Sequence, residues 1–596
     1  MFPAVDHLVA ALLVPLALFI VFNGLDDLVI DAAMVCDWWK RRKEVKVIPI
    51  IAPPEKRIAI LVPLWKEAGV IGGMIRHNIS AIRYGSCDFF IGAYPNDPAT
   101  LTAIRELENC FGNVHLATCP HDGPTSKADC LNWIYQRVLL YEEERGARFD
   151  IFVTHDAEDM IHPDALAGLN RHCGEYGMVQ VPVLPLATPA RDIVHGMYCD
   201  EFAEYQTRDI PARQILGSFL PSNGVGTGFA RGALDRLAES SGNRIIEPEC
   251  LTEDYENGLR LHRLGVRQKF LPLTGERDPV ATREYFPRTR RSAIRQRTRW
   301  ITGICLQSQE RNGWHGRLRD LYWLWRDRKG LLTNPLSVLA NACFVWGIFS
   351  WLASRLTGSV WELGRNAPRS ILLPAVALLA AYRVAIRMRC TSRYYGWRFA
   401  SLVPVRTICA NYINAVATFS ALWRYTRARL RREPLVWLKT EHAYPSRLAL
   451  LAHKRQLSEI LIGYGYLPEE SVTRALAVCG GESRLGEFLI RASLLSEESY
   501  CEALSLQQGL PAIHLAPREV ERRAVRTLPR AVAGELHVLP FRLVDGALLV
   551  ATPRAPGEDV AAALQQFTRL RVIFHLTTAT NFQQLEHAFR PTSDSR

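Results

Sequence analysis

The 596-residue sequence contains no Cys-x-x-Cys pair, although it has 14 scattered cysteines. That excludes a zinc ribbon and a disulfide framework, and it is the pattern of a reducing, cytoplasmic setting. No His-Glu-x-x-His is present, so helix-borne zinc hydrolase chemistry is excluded too. The glycine-rich stretch Ser222-Asn223-Gly224-Val225-Gly226-Thr227-Gly228 lacks the Lys-Ser/Thr ending of a phosphate loop. It is not part of a βαβ dinucleotide fingerprint either, which excludes nucleoside-triphosphate hydrolysis. No basic segment precedes the first apolar run, and no small-residue cleavage site closely follows it. A signal anchor is expected there, not a cleaved leader.

What is present is apolar sequence unevenly spread. Hydrophobic residues make up 48% overall, and the formal net charge is +12. A chain this long exceeds one core, so two to four units are expected. The basic clusters Lys40–Lys43 and Arg427–Arg432 flank apolar segments, which favours an anionic membrane surface over nucleic acid. The basic run Arg288–Arg299, with Trp314, Trp323 and Trp325 after it, reads as an amphipathic segment on the inner membrane face.

Residues 8–23 form the first apolar run, and Asp26, Asp27 and Asp31 follow it, so the helix is expected to leave the bilayer near Asn23. The positive-inside rule places the N-terminus in the periplasm and residue 40 onward in the cytoplasm. Residues 335–356 and 370–388 read as two further crossings. Residues 400–423 contain Pro404, Arg406, Asn411 and Asn414, and read as an interfacial or re-entrant helix. Three full crossings are few for a synthase that threads its own polymer, so processivity stays open.

Between residues 57 and 330 strands alternate with helices. Arg57–Pro63, Asp88–Tyr94 and Phe149–Thr154 read as strands; Val70–Tyr84 and Ala128–Leu140 read as helices. This is the pattern of a parallel α/β sheet with its ligands at the strands' carboxyl ends. The third of these strands runs into His155-Asp156-Ala157-Glu158-Asp159. Carboxylates in such a place suit Mg²⁺ or Mn²⁺; the plain alternative is a solvated acidic turn. Asp159 is either a metal ligand or a helix cap.

The order of motifs resembles the family-2, GT-A-fold glycosyltransferases, in particular their membrane-bound group with cellulose and hyaluronan synthases. Pro63–Glu67 and Asn96-Asp97 sit where that family grips the nucleotide. Asp156-Ala157-Glu158 stands at the D-x-D position, with Glu as the second acid. Thr252-Glu253-Asp254 matches T-E-D, and Gln296-Arg297-Thr298-Arg299-Trp300 matches Q-x-x-R-W. The resemblance implies donor binding by Pro63, Glu67, Asp97, Lys127 and Asp156. Lys127, ahead of Asn132, fits the family's Lys and Asn in the helix that follows. It implies a metal held by Glu158 and Asp156, and a catalytic group of Glu253, Asp254, Gln296, Arg299 and Trp300. Inverting transfer needs a base for the acceptor hydroxyl, and Asp254 is the candidate; otherwise it is a carboxylate favoured by a helix N-terminus. Arg299 would offset charge on the leaving UDP-like diphosphate. Trp300 would stack on the acceptor sugar, or pack at the interface.

From about residue 446 the composition is that of a soluble domain, with an internal repeat at an offset of 28 residues. The second copy carries Arg484-Leu485-Gly486, Leu489-Ile490, Leu494-Leu495, Leu504 and Gln507. The first carries Arg455, Leu457, Leu461, Gly465, Leu467 and Leu476, with Gln456-Leu457-Ser458 in place of Arg-Leu-Gly and Cys479 in place of the Gln. This resembles the MshE N-terminal domain of secretion and pilus ATPases, whose tandem motifs bind cyclic di-GMP. Ser493 stands where that family usually has Gly. The alternative is a helical docking module whose leucines are core.

The expected architecture is an α/β GT-A domain, transmembrane helices and a C-terminal MshE-type domain that is α and then α/β. The boundaries are an anchor over 1–35, a transferase domain over 50–330, membrane and interfacial helices over 331–430, and a regulatory domain over 446–596. The whole resembles the inner-membrane glycosyltransferases of the bacteriophage-adsorption-receptor type. It implies a multi-pass inner-membrane enzyme using a nucleotide sugar, a UDP-sugar by preference, with Mg²⁺ or Mn²⁺. It also implies cyclic di-GMP as allosteric activator, an exported polysaccharide and an outer-membrane export or receptor partner, with no nucleic acid. Two alternatives stand: a catalytically silent scaffold that relays cyclic di-GMP, and a lipid-linked single-sugar transferase.

Overall fold

The computed structural model describes residues 3–42, 53–273, 279–367, 372–433, 456–463, 466–508, 510–544 and 547–589. Contacts divide the chain into two units: residues 1–66, 86–98 and 117–445, and residues 67–85, 99–116 and 446–596.

β1 (Ile58–Pro63) forms from an unbroken apolar run, and such a run suits a strand covered on both faces. It pairs in parallel with β2 (Cys87–Ala93) and β4 (Ile151–Thr154). β3 (Val114–Thr118), β5 (Met178–Gln180), β7 (Thr227–Ala230) and β8 (Gln268–Phe270) complete a seven-stranded sheet ordered β3-β2-β1-β4-β7-β5-β8. β7 runs antiparallel to both of its neighbours. β6 (Val183–Pro185) and β9 (Thr282–Glu284) form a separate parallel pair. The three expected strands and two expected helices are all present, with ends shifted by a few residues. β3 was missed, because its five residues are partly exposed and carry little apolar signal.

The helices are α1 (Pro3–Arg41), α2 (Ala68–Ala81), α3 (Pro98–Cys110), α4 (Lys127–Arg145), α5 (Ala165–His172), α6 (Ile193–Glu204), α7 (Ile210–Ile215), α8 (Arg231–Ser240), α9 (Glu253–Arg263), α10 (Arg290–Trp300), α11 (Ser308–Asn312), α12 (Leu318–Arg328), α13 (Gly330–Thr357), α14 (Glu362–Asn366), α15 (Leu372–Tyr395), α16 (Trp397–Ala400) and α17 (Val403–Arg431). π-helical turns join α6 to α7 and α10 to α11.

Among the described residues two helices are long and apolar enough to cross a membrane, over Ala4–Lys40 and Gly330–Thr357. α1 stays helical past Asn23, the point where it is expected to leave the bilayer, and runs on to Arg41. It continues because its three acids have partners. Asp26 accepts from Lys329 (2.6 Å) and Tyr322 (2.6 Å), and pairs with Arg326. Asp27 pairs with Arg383 at 3.0 Å, and Asp31 with Arg208 at 2.5 Å. Arg383 and Arg387 both reach Glu204 at 2.7 Å, and Arg326 reaches Asp209 at 2.9 Å. Charges this buried persist only when paired, so the network fixes α1, α12 and α15 to the α6–α7 corner. α15 carries Arg383, Arg387 and Arg389 from its midpoint onward. It runs beside α1: Leu379 lies against Gly24, and Tyr382 donates to Asp31 at 2.7 Å. α17 packs on α6, α10 and α13. Its Arg406 is fully buried, and forks onto Asp200 at 2.6 and 2.8 Å. That pair, which the sequence did not reveal, accounts for an arginine inside an apolar helix.

The second unit has α18 (Leu457–Gly463), α19 (Glu469–Cys479), α20 (Glu482–Arg491) and α21 (Glu497–Gln508). It also has a three-stranded sheet of β10 (Leu539–Val544), β11 (Ala547–Thr552) and β12 (Arg571–Leu576), with α22 (Glu558–Gln565) and α23 (Ala579–Phe589). α2 and α3 belong to this unit. α2 packs on α21, Arg83 beyond α2 pairs with Glu459 at 2.9 Å, and Glu106 of α3 pairs with Arg571.

Candidate active site

The first unit brings the acidic stretch and the TED segment together through the glycine-rich loop. Gly226 N–H donates to the Thr154 carbonyl at the end of β4 (2.9 Å). Gln180 then pins the loop from β5: its Oε1 accepts from Asn223 N–H (2.9 Å) and the Thr227 hydroxyl (2.7 Å), and its Nε2 donates to the Val225 carbonyl (2.9 Å). Gln180 was not among the expected site residues, because its role exists only across strands. Gly224 has φ +78°, and a Cβ there would lie 2.9 Å from Asp254 Oδ2 and 3.5 Å from Lys127 Nζ. The glycine is needed both for its left-handed backbone and for this close approach.

Lys127 opens α4, whose N-cap Ser126 accepts from Asp129 N–H at 3.1 Å. Its ammonium sits 2.5 Å from Asp156 Oδ1. Burial works against that charge, but Asp156 and then Glu253 overcome it and push the Lys127 pKa up. Asp254 Oδ1 accepts from Tyr255 N–H at 2.7 Å in the first turn of α9. Burial raises the Asp254 carboxyl above its ordinary range, while Lys127 and Arg299 restrain it. Glu253, more deeply buried, is pushed up to about 7 by burial and by Asp254. A half-buried carboxylate of raised basicity is what a general base requires.

Asp159 makes local contacts within the acidic turn. Its Oδ2 lies 2.7 Å from His155 Nδ1 and accepts from Asp156 N–H at 3.0 Å. Burial drives the His155 pKa down to about 3, and burial, with Asp156 and Glu158 nearby, raises the Asp159 carboxyl. It shapes the turn that presents Asp156. Glu158 is buried in the same turn. Among the described residues no three His, Cys, Asp or Glu side chains are grouped to hold a metal. Asp156 and Glu158 do offer the hard oxygen donors that Mg²⁺ or Mn²⁺ takes, and such ions ordinarily complete their shell with phosphate oxygens and water.

Around the donor loops, Pro63 ends β1, and Asp97 accepts from Lys66 N–H at 2.6 Å, where Lys66 has φ +57°. Asn96 exchanges two hydrogen bonds with Gly123, of 2.6 and 2.8 Å. Trp65 and Tyr94 meet edge to face, with ring centroids 5.5 Å apart. Glu67 lies in the second unit, where its N–H donates to Thr100 at 3.2 Å. Asn132 is buried and holds the Ile245–Ile246 backbone rather than facing the site.

On α10, Arg299 is close enough to Glu253 and Asp254 to lower both. Gln296 is half-buried on the same helix. Trp300 packs against Tyr198 and Phe202, with centroids 6.2 and 6.5 Å apart. It therefore joins α10 to α6. Arg297, the motif's variable position, does structural work: it pairs with Glu201 at 2.5 Å and donates to Asn414 at 2.6 Å.

In the second unit the repeat is a core before it is a groove. Leu457, Leu461, Leu485, Leu489 and Leu495 are buried in one cluster, with Leu467 and Leu476 packed on it. Leu504 instead packs with Leu576 of β12. In this structure hydrophobic burial holds those side chains in the domain's core. Arg484 and Leu494 are exposed, and Ile490 and Gln507 half-exposed. A Cβ on Gly486 would meet the Tyr500 ring at 2.1 Å. Ser493 has φ +55°, the conformation its usual glycine would hold without strain. In the first copy Ser458 bonds Glu482. Arg455 and Gly465 lie outside the described residues.

A largely parallel sheet with an acidic turn after its central strand, a lysine against that turn and a carboxylate across a glycine loop defines a GT-A-type glycosyltransferase. Residues 53–303 match the description "Glycosyltransferase like family 2", and residues 508–596 match the MshEN domain. The second match begins after the leucine repeat. The chain is 32% identical over 569 residues to bacteriophage adsorption protein B of Escherichia coli (strain K12), covering 90% of this chain and 76% of that protein. Bacteriophage N4 adsorption protein B of Escherichia coli O157:H7 gives the same figures. The chain belongs to this bacteriophage adsorption protein B family of glycosyltransferases. Among solved structures it is similar to the mannosyltransferase PcManGT from Pyrobaculum calidifontis in complex with GDP-Man and Mn²⁺ (17% identity, 69% of this chain and 98% of that one, TM-score 0.42). It is also similar to MshE with cdg (25% identity, 23% of this chain and 99% of that one, TM-score 0.21).

Proposed function

We propose that this glycosyltransferase moves a sugar from a nucleotide donor, a UDP-sugar by preference, with inversion, and builds an exported polysaccharide at the inner membrane. The observation that carries the reading is the convergence of Asp254, Gly224 and the Lys127–Asp156 pair. Asp254 takes the proton of the acceptor hydroxyl as it attacks the anomeric carbon. Gly224 leaves the base uncovered. Lys127 and Arg299 supply fixed positive charge for the departing diphosphate. Mg²⁺ or Mn²⁺, held by Asp156 and Glu158, would add a Lewis acid on the phosphates. Asp97, Pro63 and Glu67 frame the nucleotide.

Cyclic di-GMP is the proposed activator, bound by the C-terminal module through Arg484 and the neighbouring exposed residues. Control of the donor loops is supported by chain connectivity. α2 starts two residues beyond Lys66 and α3 one residue beyond Asp97, and the module packs on these same helices. The apolar helices and the family support an inner-membrane site, and the family's name supports a part in phage adsorption with an outer-membrane partner.

The test is a panel of UDP- and GDP-sugars with Mn²⁺ or Mg²⁺, with and without cyclic di-GMP. Transfer that Asp254→Asn abolishes is expected. A phage-adsorption or export phenotype that survives Asp254→Asn would instead establish the silent scaffold. A second reading is a single-sugar transfer to a lipid-linked acceptor; product sizing separates it from a polymerase.

A further inference from the structure

Arg208, Arg213, Arg297, Arg326 and Arg406 of the first unit each pair with a carboxylate. Arg328, also buried, donates to the Gly313 carbonyl at 3.1 Å instead. A further group of arginines is exposed around a cleft. An open cleft of about 620 Å³ lies between the C-terminal end of α9, β8 and the N-terminal end of α12. Arg263, Arg317 and Arg319 line it, and among the described residues none of the three has a carboxylate partner within ion-pair distance. Arg263 instead donates to Asn312, to its side chain (2.9 Å) and its carbonyl (3.0 Å). Arg267, His262 and His315 complete the basic lining. The acids near it are already engaged. Asp320 accepts from Ser218 Oγ (2.9 Å) and Arg317 N–H (3.0 Å) and lies 3.3 Å from His262; Glu175 pairs with Arg267 at 3.2 Å. Three uncompensated guanidinium groups around one concavity leave a positive potential that an anion relieves, and a guanidinium fork suits a phosphoryl group best.

The cleft is not the transfer site. Asp254 and Arg263 stand at opposite ends of α9, about 13 Å apart at the helical rise. Its surroundings say what kind of phosphate it takes. Leu318 is 86% exposed and Trp314 45% exposed, both on the segment that carries Arg317 and Arg319. At the other end of α12, Arg326 and Lys329 pair with Asp26 of α1, immediately past the apolar run. α12 then leads into α13, one of the two candidate spans. Exposed apolar side chains beside unpaired arginines, on a helix tied to the polar edge of a membrane helix, are the marks of a surface that meets lipid.

We propose that this cleft binds the phosphoryl headgroup of an anionic membrane lipid, and so seats the first unit on the membrane surface. The proposal rests on the membrane reading of the chain but not on its sugar chemistry, and lipid binding is measured without sugar transfer. The full chain in detergent is titrated with dioctanoyl phosphatidylglycerol, dioctanoyl phosphatidylcholine and inorganic phosphate, following the thermal midpoint. Saturable stabilisation by phosphatidylglycerol is expected, with little from the other two. Arg317→Gln/Arg319→Gln changes only exposed side chains, and should weaken the phosphatidylglycerol affinity about thirtyfold, the effect of two basic residues at an anionic surface. Arg263→Gln should weaken it further; since it also breaks the Asn312 contact, the double variant carries the test. Equal stabilisation by inorganic phosphate would overturn the lipid assignment in favour of a soluble phosphorylated ligand. No stabilisation of the wild-type chain, or full affinity in the double variant, would overturn the site.

Discussion

Replacing Gly224 by alanine places a methyl carbon 2.9 Å from Asp254 Oδ2 and leaves the residue at φ +78°. Two effects then add. The left-handed backbone costs about 1–2 kcal/mol for a residue with a Cβ. The contact is shorter than carbon and oxygen tolerate, so the carboxylate must move by roughly half an ångström. A misplacement of about 1 Å can cost about a hundredfold in rate, so a loss of about ten- to hundredfold in kcat is expected. Gly242 separates the two effects. It has φ +60°, and a Cβ there would meet nothing within 4 Å. Gly242→Ala should therefore show only the backbone part of the thermal destabilisation, with wild-type turnover. The measurement is the initial rate of sugar transfer for both variants beside their thermal midpoints. If Gly224→Ala turned over within about twofold of Gly242→Ala, the placement of Asp254 as the proton acceptor would be refuted, because a base cannot be displaced without loss.

Glu253 is pushed up to about 7 and Asp254 is raised, and the base works only when ionised, so transfer should fall as pH falls below neutrality. Lys127 lies within about 6.4 Å of Asp254, the most its two distances to the Gly224 Cβ position allow, and it lowers both carboxyls. Lys127→Met should move that acid limb up by about one to two pH units, and a pH–rate profile checks it. Arg406→Met leaves Asp200 buried without its ion-pair partner, so chemical unfolding should show about 3–5 kcal/mol of lost stability, much of it regained in Asp200→Leu/Arg406→Leu. The Arg83–Glu459 pair is exposed and worth at most about 1 kcal/mol. Glu459→Arg should then reduce stimulation by cyclic di-GMP no more than about fivefold, and adding Arg83→Glu should restore it. Ser493→Gly relieves a left-handed serine and should raise the thermal midpoint, by about 1 kcal/mol of stability.

The sequence by itself determined the enzyme's class. The α/β alternation, the acidic turn, Thr252-Glu253-Asp254 and Gln296–Trp300 are local patterns, and local patterns survive in a string. It also located the apolar segments and the C-terminal repeat, because hydrophobic periodicity is a property of neighbours along the chain. Tertiary structure alone decided the rest. Gln180 pins the glycine loop from another strand, and nothing beside it in sequence signals that. Asp26, Asp27 and Asp31 marked only the end of an apolar run, and their partners lie about 180 to 350 residues away. The contact of Asp159 with His155, the packing of Trp300 on α6 and the shared core of the repeat leucines are likewise tertiary facts. A motif fixes which side chains are available; only the folded chain fixes which of them face each other, because charge pairing and burial act between residues distant in sequence.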